Sequence, residues 1–342
     1  MSQIEITEPV PILDEFGRPQ NFGWARSPNF IYNPALINAP SRRISEGDRY
    51  ILASSKHLIV FEALDDGYLG YLLVSVCPLG GKKSFAQTMM TPFSLGSFGL
   101  SNDGDSGSIK FVHKKAMLNF ANMDGGVRLI KTDIPKFNQN HSLMGQLVLT
   151  PPEGAESLFT NMPWRGDGKA FFCLRRSPWY SAEGVIQFGI NEMVFTREDG
   201  WGIYEWSRGV RPRSDLRFWA SGCGQIEGRQ AGFSIGYNSA DSTMGTENAF
   251  FLDGKIHKLD QVSFHIPSGR LVPWRFTSND KRLEMNFTPK QERDENHQMM
   301  FLYSLRRRQF FGTFSGKVKL DDGSEIGFQN IPGMAERRKS RL

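Results

Sequence analysis

Apolar and polar residues alternate with a two-residue period along much of this chain. Phe233, Ile235 and Tyr237 fall on one face of an extended segment, while Gly232, Ser234, Gly236 and Asn238 fall on the other. Val262, Phe264 and Ile266 alternate with Ser263 and His265, and Leu283, Met285 and Phe287 with Glu284 and Asn286. Phe314, Gly316, Val318 and Leu320 repeat the pattern. This period puts successive side chains on opposite faces of half-buried strands. Asp65-Asp66-Gly67, Asp103-Gly104, Asp124-Gly125-Gly126, Asp199-Gly200, Asp253-Gly254 and Asp321-Asp322-Gly323 punctuate the segments. Asp-Gly supplies the positive φ angles of tight antiparallel connections. Apolar residues at i, i+3, i+4 and i+7 are nowhere sustained over about 12 residues without an interrupting glycine or proline. The longest apolar run, Tyr68 to Val76, predicts a buried strand and falls far short of the roughly 20 residues a membrane-crossing helix needs.

So many strands in one open sheet would leave long unpaired edges, and closure into barrels or stacking removes them. At 342 residues the chain also outgrows a single hydrophobic core. The expected fold is therefore mainly β, as two consecutive antiparallel barrels: residues 1–150, and residues 151–342 with a basic tail. The loosest composition, between Lys136 and Arg165, marks the expected crossover.

Composition changes this picture little. Hydrophobic residues make up 39%, charged 23% and aromatic 12%, the proportions of an ordinary globular protein. Acidic residues and prolines in MSQIEITEPVPILDEF do not make a secretory leader, so the cytoplasm is the default compartment. Cys77, Cys173 and Cys223 form no C-x-x-C pair and are expected to be buried, reduced thiols. Of the net charge of +5, the last eight residues, AERRKSRL, carry four positive and one negative side chain, which is +3. A solvated terminus is the expected reading of that tail. The Arg306–Arg308 triplet has apolar flanks and is expected to lie partly over packed surface with its heads outward. The near-neutral body lacks the broad basic groove that binding of nucleic acid uses.

Candidate chemistry concentrates between Trp201 and Lys255, where tryptophans, arginines, carboxylates and glycines alternate most densely. In an extended Glu205-Trp206-Ser207-Arg208-Gly209 segment, Glu205 and Ser207 point one way and Trp206 and Arg208 the other. A carboxyl beside tryptophan in a dry pocket can be held protonated near neutral pH and deliver a proton; equally, an arginine stacked on tryptophan can simply close a barrel end. Glu247 and Asn248 sit at the entrance to the Ala249–Leu252 segment, able to orient a hydroxyl or water or to anchor a loop. Arg217, Trp219 and Ser221 share one strand face, an aromatic floor beside a guanidinium. The six histidines show no metal-ligand spacing, and no nucleophile elbow, phosphate loop or dinucleotide fingerprint is present. No metal and no cofactor is assigned.

Several segments carry a family likeness: LDEFGRPQNFGWARSPNFIYNP (residues 13–34), GKAFFCLRRSPWYSAEGVI, EWSRG, RFWASG, TENAFFLDGK, PWRFTS and FSGKVKLDDG. From about residue 5 to 335 the chain resembles the family known as domain of unknown function 2804. That family is similar in layout to two-barrel, lipocalin-like proteins that include carotenoid hydratases of the hydroxyneurosporene synthase type and, more distantly, tocopherol cyclase. The resemblance implies a pair of calycin-like barrels with a pocket at the mouth or interface of one of them. Glu205 stands where the family pattern places an aspartate before W-[ST]-R-G, and the family's tryptophan-rich N-terminal strand is weakened to Asp48-Arg49-Tyr50.

These readings converge on a cofactor-independent hydratase, dehydratase or cyclase acting on an apolar or amphipathic small molecule inside a barrel. Glu205 and Glu247 would exchange protons, Arg208 and Asn248 would hold the polar end, Trp206, Trp219 and Tyr237 would form the walls, and Arg217 is a further substrate-binding candidate. The alternatives are a carrier of a lipid-like ligand, and a carbohydrate-active enzyme with paired carboxylates.

Overall fold

The alternating segments become strands almost throughout, and they sort into two large antiparallel sheets. The computed structural model describes residues 3–81, 83–113, 116–138, 141–299 and 303–341. Among these, the first sheet runs in the order Phe85–Pro92, Leu69–Pro78, His57–Asp65, Ile44–Ala53, Trp201–Val210, Phe171–Phe188, His141–Thr150, Arg128–Phe137, Ala116–Asn122, Ser108–His113. The second runs Lys255–Lys258, Ala249–Leu252, Arg229–Tyr237, Ser214–Ile226, Glu325–Arg341, Tyr303–Lys319, Leu283–Met299, Trp274–Ser278, Val262–His265. The mainly-β fold of two curled antiparallel half-barrel sheets is thus as the alternation implies. Among the described residues no helix is long and apolar enough to cross a membrane.

Each sheet curls around its own apolar filling. Leu52, Phe61, Val74, Phe120, Ile130, Leu147 and Tyr204 belong to the first interior. Phe233, Ile235, Phe250, Phe276, Phe287 and Phe314 belong to the second. Aromatic contacts bring far-apart strands together: Phe85 meets Phe188 at 4.9 Å in the first sheet, and Phe218 meets Phe264 at 6.5 Å in the second.

The chain passes from the first sheet to the second between Val210 and Ser214. The loose segment from Lys136 to Arg165 instead contains His141–Thr150 and Leu158–Pro163, both in the first sheet. Its Pro-Pro-Glu-Gly turn joins two strands that meet successive parts of one long neighbour, Phe171–Phe188. That strand breaks register between Ser177 and Tyr180, at Pro178, which has no N–H to give a ladder.

The basic tail is not a solvated terminus. Residues 335–341 extend the Glu325–Arg341 strand into the middle of the second sheet, between Ser214–Ile226 and Tyr303–Lys319. Its alternation explains the error: Glu336 and Ser340 are buried while Arg337, Lys339 and Arg341 face out. The arginine triplet splits in the same way, with Arg306 exposed and Arg307 fully enclosed.

The outer faces of the two sheets pack on each other. Ile51, Val60, Cys77 and Ile203 from the first meet Trp219, Cys223, Phe311 and Met334 from the second. The strands His57–Asp65 and Leu69–Pro78 are consequently buried on both faces along almost their whole length. Cys77, Cys173 and Cys223 are buried free thiols. Beside this apolar patch the contact layer is charged.

Candidate functional site

Strand alternation decides which candidates meet. Glu205 and Ser207 point from Trp201–Val210 toward the second sheet, while Tyr204, Trp206 and Arg208 point into the first barrel. Glu205 is flanked in register by an arginine on each neighbouring strand, Arg176 on one side and Arg49 on the other. Its carboxylate accepts hydrogen bonds from Arg176 Nη2 and, at 3.3 Å, from Arg49 Nη1, and Arg217 Nη1 of the second sheet lies 3.9 Å away. Opposite charges on directly facing strand positions attract at close range.

Glu247 reaches the same cluster from the second sheet. Its Oε2 accepts from Arg217 Nη2 at 2.7 Å and lies 3.6 Å from Arg176 Nη1. Arg176 also donates to Ser234 Oγ at 2.7 Å. The two glutamates therefore share Arg176 and Arg217, and all four side chains are buried. Gly236 makes room for the arrangement, since a Cβ there would come within 2.6 Å of Glu247 Cδ.

Trp219 lies beneath the cluster. The Arg49 and Arg176 guanidinium carbons each stand 4.8 Å from its ring centroid, and its Nε1 donates to Glu336 Oε1 at 3.0 Å. The tryptophan face attracts cations, and its polar edge satisfies a buried carboxylate.

A second charged group continues the layer. Glu62 accepts from Arg49 at 2.7 Å and from Arg307 at 2.6 Å, and Arg307 also donates to Glu295 at 2.7 Å and to Tyr71 Oη at 3.0 Å. Burial pushes the Glu62 carboxyl up, but Arg307 and Arg49 outweigh it and hold the group at about 2. Burial brings Arg176 down to about 9, against the attraction of Glu247.

The side chains of the remaining sequence candidates have other partners, although Arg208 is among the residues that line the crevice beside Glu205. Arg208 lies inside the first barrel, where both terminal nitrogens stand 3.1 Å from Asp48 Oδ1 and it donates to the carbonyls of Gly47 and Ser101. Its guanidinium carbon is 4.8 Å from the Trp206 ring, and Trp206 Nε1 donates to Ser101 O at 3.1 Å. Both are occupied in holding the Ser101–Gly104 turn, on the opposite side of the sheet from Glu205. Tyr237 stacks on Phe218 at 5.0 Å on the rim of the second barrel, because it alternates with Gly236 and so faces away from Glu247. Asn248 accepts from the Gly236 amide at 2.7 Å and donates to Asp260 O at 2.8 Å, an anchor between strand and loop.

What opens beside Glu205 is a crevice between the sheets. It is lined by Glu205, Ser207, Arg49, Glu62, Asp215, Arg217 and Arg338, with Trp164, Phe172 and Pro212 as apolar lining, and holds about 50 Å³. Asp215, which the sequence reading passed over, is half-buried, but its Oδ1 is enclosed and has no hydrogen-bond partner among the described residues. Burial raises its pKa, opposed by Arg338, Arg217 and Arg211. Arg49, Arg176 and Glu62 were also passed over; the available signal was a charge within an otherwise apolar strand, as in Val60-Phe61-Glu62-Ala63-Leu64.

Two solved structures resemble this fold. Kievitone hydratase from Nectria haematococca shares 10% identity, with 87% of this chain and 89% of that one covered and a TM-score of 0.44. A candidate AttH protein from Nitrosomonas europaea shares 15% identity over 86% and 92%, with a TM-score of 0.45. No protein of curated function matches the sequence. The model of one family, described as a domain of unknown function (DUF2804), matches residues 3–342, and the chain belongs to that family.

Proposed function

We propose that the inter-sheet crevice is an acid–base site of the hydratase or dehydratase kind, working without a cofactor on an apolar or amphipathic small molecule. The observation that carries this reading is the presence of two carboxyl groups of opposite environment along one crevice. Glu205 is enclosed by guanidinium groups, which favour its ionised form. Asp215 is desolvated, with an unpaired enclosed oxygen, which favours the protonated form. Such a pair supplies a base and an acid at one pH.

In the hydration direction, Asp215 gives its proton to one carbon of a double bond while Glu205 takes a proton from the water that adds to the other. Glu205 is left protonated and Asp215 ionised, and exchange with solvent restores both. The crevice's 50 Å³ suits one or two waters, and the enclosed Nε atoms of Arg217 and Arg338 lack acceptors among the described residues, leaving donors for a substrate's polar end. Glu247 is absent from the lining and acts through Arg217 and Arg176, as a positioning residue.

The test is incubation with a panel of unsaturated amphipathic alcohols and phenols in heavy-oxygen water, read by mass spectrometry. The expected result is label incorporation by the parent protein and its loss in a folded Asp215→Asn variant. Turnover retained by both Asp215→Asn and Glu205→Gln ends the proposal. A ligand that copurifies and leaves unchanged would favour carriage instead.

A further inference from the structure

A second cavity, of about 300 Å³, lies on the first-barrel side of the Ile44–Ala53 strand and is lined by Ile44, Leu95, Leu100, Pro34, Glu46 and Asp65 among others. It is separate from the crevice, with which it shares no lining residue. Glu46 stands in register between Arg208 on one neighbouring strand and Asp65 on the other. Arg208 is turned to Asp48 and to backbone carbonyls, so it makes no hydrogen bond to Glu46 among the described residues.

The unused hydrogen-bonding capacity is specific. Glu46 Oε1 accepts from Tyr32 Oη at 2.8 Å, its one hydrogen bond among the described residues. Asp65 Oδ1 accepts from Ser94 Oγ at 2.6 Å and the Gly67 amide at 3.0 Å, and its Oδ2 from the Gly96 amide at 2.9 Å. A carboxylate offers about four acceptor positions, so Glu46 retains about three and Asp65 about one. No basic side chain lines the cavity among the described residues, and its other walls are largely aliphatic.

We propose that this cavity binds an organic amine cation with a short apolar body, the ammonium received by Glu46 and Asp65 and the body lying against Ile44, Leu95 and Leu100. An ammonium carries three N–H donors and no acceptor, which matches the vacant acceptors. The volume is at the small end of ordinary ligand pockets. Leu95, half exposed and held at φ 47° beside Gly96, belongs to a surface turn and can cover the body.

The groups facing Glu46 are Tyr32, Arg208, Asp65 and Asp48. Burial raises the Glu46 pKa, opposed by Arg208 and the Tyr32 hydrogen bond, while Asp65 and Asp48 raise it further. A bound cation opposes that shift and favours the ionised carboxylate, so binding is expected to tighten as pH rises.

Calorimetry with hexylamine, hexanol and hexanoate tests this. Hexylamine is expected to bind about tenfold or more tighter than the other two, and Glu46→Gln to lose about tenfold or more of that affinity. Tyr32 can still donate to the glutamine carbonyl, so the variant keeps that contact. Asp215→Asn is expected to bind the amine as the parent does. No hexylamine binding, equal binding of the three compounds, unchanged affinity in Glu46→Gln, or loss in Asp215→Asn would each overturn the proposal.

Discussion

Glu62 and Arg307 come from different sheets and meet at 2.6 Å with both side chains buried. Arg49 binds the same carboxylate at 2.7 Å, and Glu295 binds the same guanidinium. One acidic side chain thus ties a strand of each half-barrel to the charged layer between them. Removing its charge leaves two buried arginines without that partner. Glu62→Gln is expected to destabilise the protein by about 3–5 kcal/mol, the cost of breaking a buried pair from one side. Urea unfolding followed by circular dichroism measures it, and a change below about 1 kcal/mol would show that the layer relaxes around the loss.

The same carboxylate sets a limit in acid. Its folded pKa, about 2, lies below the ordinary value of 4.5. A depressed carboxylate contributes stability that is complete above the unfolded value and is lost as pH falls through the folded one. Glu295 is shifted in the same direction, with Arg307 opposing its burial. Unfolding free energy is therefore expected to be flat with respect to these groups at neutral pH and to fall between about pH 5 and pH 2. Glu62→Gln is expected to flatten this slope, which a series of denaturation curves against pH would show.

Trp219 faces three guanidinium groups, Arg49 and Arg176 at 4.8 Å and Arg217 at 6.0 Å, and donates to a carboxylate. Trp219→Phe keeps much of the apolar face but removes the donor to Glu336 Oε1 and weakens the cation–π contacts with Arg49 and Arg176. A loss of about 2 kcal/mol is expected from one charged hydrogen bond and a weaker aromatic face. Thermal unfolding by calorimetry checks this, and an unchanged midpoint would remove Trp219 from the network.

The C-terminal residues are a central strand. Truncation before Arg337 removes the ladder partners of both Ser214–Phe218 and Ser304–Arg308, together with Arg338, which pairs with Asp66 of the first sheet at 2.6 Å. The shortened chain is expected to lose cooperative unfolding and resistance to limited proteolysis. A truncated protein as protease-resistant as the parent would mean that the two neighbouring strands can close over the gap.

The two-residue period and the Asp-Gly turns were enough to read strands, hairpins and a mainly-β, two-sheet protein from the chain alone, because each is a local property of successive side chains. Alternation also assigned Glu205 and Arg208 to opposite faces. What a strand pattern does not contain is the identity of the material behind each face. The outer face of the first sheet meets the outer face of the second, so Arg49, Glu62, Arg176 and Arg307, which on a solvated face would be ordinary surface charges, are enclosed and depend on one another. Glu205 and Glu247 are far apart in sequence and share two arginines only because two sheets stack. Asp215 became a candidate for the same reason: its desolvation comes from packing between elements, and no spacing along the chain records it. The tail shows the principle most plainly. Its charges looked solvated in sequence, and only the pairing of its backbone between two distant strands decided that every second one is buried.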